Sequence, residues 1–71
     1  MDKFQWFGVL FEHWKKLSEE QKLALGHKVW GNPSHTARTL AKVGDFSDIS
    51  GGWREDIANY LSSHPSDWPL P

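Results

Sequence analysis

The chain has 71 residues, no cysteine and a formal net charge of −1. That length holds one domain at most, and a domain so small buries only about 60% of the surface its unfolded chain exposes. The missing cysteine excludes disulfides, thiolate zinc sites and cysteine nucleophiles, and it fits a reducing compartment such as the cytoplasm.

The first element predicted is a helix over residues 3–17. At 100° per residue, Trp6, Leu17, Leu10, Trp14, Phe7, Phe11 and Phe4 share an arc of about 160°, and Gln5, Glu12, Lys15 and Lys16 lie opposite. Gly8 falls on the polar side, where it costs about 1 kcal/mol relative to alanine. Ser18-Glu19-Glu20-Gln21 has capping-box spacing and starts a second helix over 19–30, with Leu23, Gly26 and Trp30 on one stripe and Leu25 and Val29 beside it. Gly31 is suited to the C-cap, and Pro33 stops continuation. Ser34 caps a third helix over 35–43, whose inner side is Ala37, Leu40, Ala41 and Val43. Gly44 ends it.

Residues 45–52 read as a loop, with Phe46 and Ile49 turned back onto the core and Asp48 or Ser50 capping the next helix. That fourth helix spans 52–62 and buries Trp53, Ile57, Tyr60 and Leu61. Pro65, Pro69 and Pro71 make the tail irregular, and Trp68 is expected to pin it to the body. The fold class expected is therefore all-α: a compact bundle of four short helices, a single domain over 1–64, and an anchored tail over 65–71.

Targeting signals are weak. Val9-Leu10-Phe11 is far too short to span a membrane, and Asp2-Lys3 is not a basic leader. Pro33 blocks Asn32 as a glycosylation acceptor.

Nothing in the chain assembles a recognisable catalytic or metal site. His13, His27, His35 and His64 include no i, i+4 pair and no His-Glu-x-x-His string, so no metal and no cofactor are expected. Asp45 and Asp48 lack the remaining ligands of a calcium loop. No serine lies in a nucleophile elbow, and no glycine-rich phosphate loop is present. A non-enzymatic protein is expected.

Charge is segregated. From Gln21 to Gly44 there is no acidic residue, but Lys22, Lys28, Arg38 and Lys42 make a +4 centre. After Gly44, Arg54 faces Asp45, Asp48, Glu55, Asp56 and Asp67, for a sum of −4. Helices 2 and 3 are joined by Gly31-Asn32-Pro33, short enough for a helix-turn-helix. On such a frame, His35, Arg38, Thr39 and Lys42 would face a DNA groove, with Lys22 and Lys28 on phosphates. The string Gly31-Asn32-Pro33-Ser34-His35-Thr36-Ala37-Arg38 resembles the turn and recognition-helix start of DNA alkyltransferases, in which the arginine enters the duplex. The resemblance implies a DNA-contacting role for Arg38. Those enzymes also carry a Pro-Cys-His-Arg string with the nucleophilic cysteine. This chain has neither, so no repair chemistry is implied.

Half of the ten Phe, Tyr and Trp residues lie within the first fourteen positions. Phe7, Phe11 and Trp14 are expected to anchor the core. The arc is wider than one packing contact uses, so Trp6, Leu10, Phe7 and Trp14 are the candidate protein-binding residues, with Trp6 preferred at the arc's edge. A protein-interaction module acting as inhibitor, adaptor or assembly factor is the first expectation. It meets a partner protein through an acidic patch, or forms a homodimer. A helix-turn-helix DNA-binding regulator is the alternative.

Overall fold

A computed structural model describes residues 1–70 and shows an all-helical chain. Its α-helices are α1 (Lys3–His13), α2 (Glu19–Trp30), α3 (His35–Ala41) and α4 (Gly51–Ser63), with 3₁₀ turns at Trp14–Lys16, Phe46–Asp48 and Pro65–Asp67. Among the described residues there is no strand. Pro71, the last residue of the predicted tail, lies outside them.

Each helix begins where a short polar side chain can take an orphan backbone N–H. The Asp2 carboxylate accepts from the Gln5 amide at 2.9 Å, and Gln5 Oε1 accepts from the Asp2 N–H at 2.8 Å. Ser18 and Gln21 form the same reciprocal box at 3.1 and 2.9 Å. Ser34 accepts from the Ala37 N–H, and Ser50, rather than Asp48, caps α4 through the Trp53 N–H. Gly31 terminates α2 with φ +95°, a value that excludes most side chains. The next peptide bond, Asn32–Pro33, is cis.

Two of the helices are shorter than their apolar periodicity. α1 stops at His13 and tightens into the 3₁₀ turn, because Leu17 and Ser18 must be extended for Ser18 to cap α2. α3 stops at Ala41. Its last turn closes by Lys42 N–H to Thr39 O and Val43 N–H to Leu40 O, which frees the Val43 carbonyl for other donors.

α2 and α3 form a tight hairpin, and α1 lies against α4. At the first contact Gly26 is buried beneath Ala37; a Cβ on Gly26 would come within 2.6 Å of the Ala37 Cβ. The core between the two pairs holds Trp14, Phe46, Leu10, Leu25, Leu40, Ile57 and Leu61, all fully buried. Phe46 and Ile49 do turn inward as expected. The tail is also held. Trp68 meets Trp6 edge-on at 6.1 Å, and Leu70 is buried beyond it.

Two expectations about this segment need correction, while Trp14 does anchor the core as expected. Trp6 (3% exposed), Leu10 and Trp14 are buried within the chain's own core, so they present no surface to a partner. Conversely Phe11, expected as a core anchor, is 43% exposed, and Phe4 is 75% exposed. Phe7 is half-buried. The physical reason is which edge of the arc is covered: Trp68 of the tail packs on Trp6 and Phe46 packs on Trp14, whereas Phe4 and much of Phe11 stay in water.

Candidate functional site

The exposed edge of α1 is built by spacing alone. Phe4, Phe7 and Phe11 are separated by three and four residues and therefore project in one row. Phe4 and Phe7 rings lie 6.3 Å apart, and Lys3 Nζ stands 5.6 Å from the Phe4 ring centroid. Phe11 meets the buried Phe46 edge-on at 5.0 Å and still keeps much of its surface in water. The Arg54 guanidinium lies 5.8 Å from the Phe11 centroid.

Where α1 meets the start of α4, Phe7, Phe11, Gly51 and Arg54 line a shallow groove of about 300 Å³. Lys3 Nζ bridges to the Glu55 carboxylate at 3.0 Å and ties the two helices at one rim. Among the described residues Arg54 has no carboxylate in ion-pair contact, and Glu12 has no basic group. This surface therefore offers aromatic area edged by both signs of charge. The aromatic face expected from the sequence is present, with Trp6, Leu10 and Trp14 buried, Phe7 half-buried and Phe4 and Phe11 exposed. Gly8 beside Phe4 and Phe11 was the available signal for that exposure, since an aromatic row next to an unfilled glycine is a poor core face.

The basic segment comes apart on folding. Lys22 is buried, and its Nζ donates to the Val43 carbonyl at 2.8 Å. Trp14 Nε1 donates to the same carbonyl at 3.0 Å, so one oxygen ties α2, the end of α1 and the end of α3. Lys22 is thereby withdrawn from any phosphate, a correction to its expected role. Lys28 pairs with Asp67 of the tail at 3.5 Å. The structure leaves His35, Arg38, Thr39 and Lys42 together on the exposed side of α3, where they line one groove. Thr39 Oγ1 lies 3.5 Å from His35 Nε2. Arg38 and Lys42 also line a neighbouring groove with Glu19 and Glu20 of α2.

No protein-family model, curated protein or solved structure matches the chain.

The remaining polar chemistry is structural. The Tyr60 hydroxyl donates to the Asp67 carboxylate, which holds that carboxyl below its usual range, with Lys28 and His64 adding to the effect. The same bond raises the Tyr60 phenol above its ordinary value. Among the described residues no three His, Asp or Glu side chains gather into a metal-binding set, and no helix is long and apolar enough to cross a membrane.

Proposed function

We propose that the chain is a small, non-enzymatic, cytoplasmic protein-interaction module that acts as an inhibitor, adaptor or assembly factor, docking through the Phe4–Phe7–Phe11 edge of α1. The observation that carries this reading is the exposure of Phe4 at 75% beside a half-exposed Phe11, on a chain with few residues to bury. Buried apolar area contributes about 25 cal/mol per Å², so leaving these rings in water forgoes stability that a 71-residue domain has little of. Aromatic anchors within a charged rim are the usual composition of an interface core. Of the residues expected at a protein-binding surface only Phe7 belongs to this edge; Phe4 and Phe11 take the place of Trp6, Leu10 and Trp14, which are buried.

Affinity capture with the whole chain as bait tests the reading, comparing wild type with a Phe4→Ser, Phe11→Ser double variant of unchanged helicity. Loss of the captured proteins in the variant is expected. Retention of the same proteins would remove this edge of α1 as the docking surface.

DNA binding draws its support from the exposed His35–Arg38–Thr39–Lys42 face of α3, the second helix of a tight hairpin. Its fixed positive charge is now Arg38 and Lys42, beside Glu19 and Glu20. Titration with a short duplex at about 50 and about 200 mM salt distinguishes the two readings. Tight binding that falls steeply with salt, and is lost in Arg38→Ala, would put α3 ahead of α1.

A further inference from the structure

We infer that residues 65–70 form a strap that lifts from the four-helix body as a unit, hinged at His64 and latched by the Asp67 carboxylate. The strap is independent of both docking readings.

The first reason is how the segment is tied down. Its backbone hydrogen bonds stay local: Asp67 N–H donates to His64 O at 3.1 Å, and Trp68 N–H to Pro65 O at 3.2 Å. Among the described residues no backbone bond joins residues 65–70 to any of the four helices. The polar ties to those helices all pass through one carboxylate. It accepts from the Tyr60 hydroxyl of α4 and pairs with Lys28 of α2 at 3.5 Å. A segment held by side chains alone, with no share in a helix ladder, belongs to the low-stability end of a fold.

The hinge is the second reason. α4 ends at Ser63, and the His64 N–H closes its last turn on Tyr60 O at 2.9 Å. The His64 ring stacks on the Tyr60 ring at 4.3 Å, so His64 stays with the helix. Residues 63–66 are all exposed, and rotation beyond His64 displaces no buried side chain of the hinge itself.

The third reason is the seat. Trp68 meets the Trp6 and His13 rings, each at 6.1 Å, and Leu70 is buried in the core. These apolar contacts keep the closed form dominant. Yet Trp6, against which the strap packs, buries its Nε1–H with no acceptor among the described residues. A buried donor without a partner carries its full desolvation penalty, which water relieves on opening. Trp14 is the contrast, because its Nε1–H donates to Val43 O at 3.0 Å.

Hydrogen exchange at these two buried indoles, followed by NMR on the whole chain, is the test. The Trp6 Nε1–H should exchange at least about a hundredfold faster than the Trp14 Nε1–H, because opening a strap is easier than unfolding the body. Its rate should also depend less on urea, since the strap exposes less surface than unfolding does. Asp67→Asn should speed exchange at Trp6 at least about tenfold, the scale of one charge-assisted hydrogen bond. Ser34→Ala removes the α3 cap, a bond present whether the strap is open or closed. That variant should speed Trp14 about fivefold and leave Trp6 unchanged. Equal rates with equal urea dependence at the two indoles would mean that the tail leaves only when the chain unfolds, and would overturn the strap. So would a Ser34→Ala variant in which both indoles accelerate alike. Fast exchange at Trp6 that Asp67→Asn leaves unchanged overturns the latch.

Discussion

Glycines 8 and 26 occupy helix interiors, yet the same substitution should act in opposite directions. Gly8→Ala adds a methyl group into open water and removes backbone freedom from the unfolded chain, so the monomer should gain up to about 1 kcal/mol. Gly26→Ala gains the same propensity but drives its Cβ into the backbone and side chain of Ala37, and overpacking of that kind costs about 1–3 kcal/mol. Urea denaturation of the two variants should place their midpoints on opposite sides of wild type. Lys22 is a second residue whose role depends on one atom. Its ammonium reaches the Val43 carbonyl, and a hydrogen bond from a charged donor is worth about 1.5–3 kcal/mol. Lys22→Met keeps the buried stem, and the carbonyl keeps the Trp14 donor, so a loss of about 1–2 kcal/mol is expected in the same assay. A loss near zero would mean that desolvating the charge cancels its bond.

The elements show how one amphipathic face divides between interior and surface. Along α1 and into the 3₁₀ turn after it, Trp6, Leu10 and Trp14 recur every four residues and form the buried seam, while Phe4, Phe7 and Phe11 form the adjoining row. Truncating a fully buried ring typically costs about 3–5 kcal/mol, so Trp14→Ala should come close to unfolding the domain. Phe11→Ala removes only a half-buried ring and should cost about 1–2 kcal/mol. Near-equal losses, read from thermal melts followed by circular dichroism, would contradict the division. The helix starts were legible because a cap is a local device: Ser18 with Gln21 and Ser34 ahead of Ala37 need no tertiary contact to be recognised. The ends of α1 and α3 were less so. Their last turns yield to the Val43 carbonyl and to the extended cap at Ser18, which are demands made by distant residues.

At the scale of the molecule, the tail closes the fold. Trp68 packs edge-on against Trp6, Leu70 is buried in the core, and the Asp67 carboxylate joins Tyr60 of α4 to Lys28 of α2. Asp67 titrates below the usual carboxylate range because the Tyr60 hydroxyl donates to it, so the ionised form is favoured by folding. Its stabilisation is therefore complete above the unfolded carboxyl value and is lost as pH falls through the lower folded one, below about pH 4. Tyr60→Phe should flatten that acid limb when denaturation midpoints are compared at about pH 6 and about pH 2.5, without abolishing it. Asp45, held low by the Ser47 N–H and hydroxyl, contributes to the same window and is untouched by the substitution. The raised phenol of Tyr60 acts oppositely, its contribution disappearing only as pH rises above the ordinary tyrosine range.

Helix number, caps, the glycine–proline break and the amphipathic character of α1 were determined by the sequence itself, because each depends on residues within about four positions of one another. The inward turn of Phe46 and Ile49 and the anchoring of Trp68 were also readable, since large apolar side chains in short loops have little other means of leaving water. Tertiary structure alone decided which edge of α1 stays wet, because that depends on where α4 and the tail lie and not on the periodicity of α1. It likewise decided the fate of the basic segment. Lys22 and Lys28 are as charged as Arg38 and Lys42, but Val43 and Asp67 reach them from 21 and 39 residues away. Periodicity shows that a residue belongs to a face; only the packing of the other elements shows whether that face meets protein or solvent.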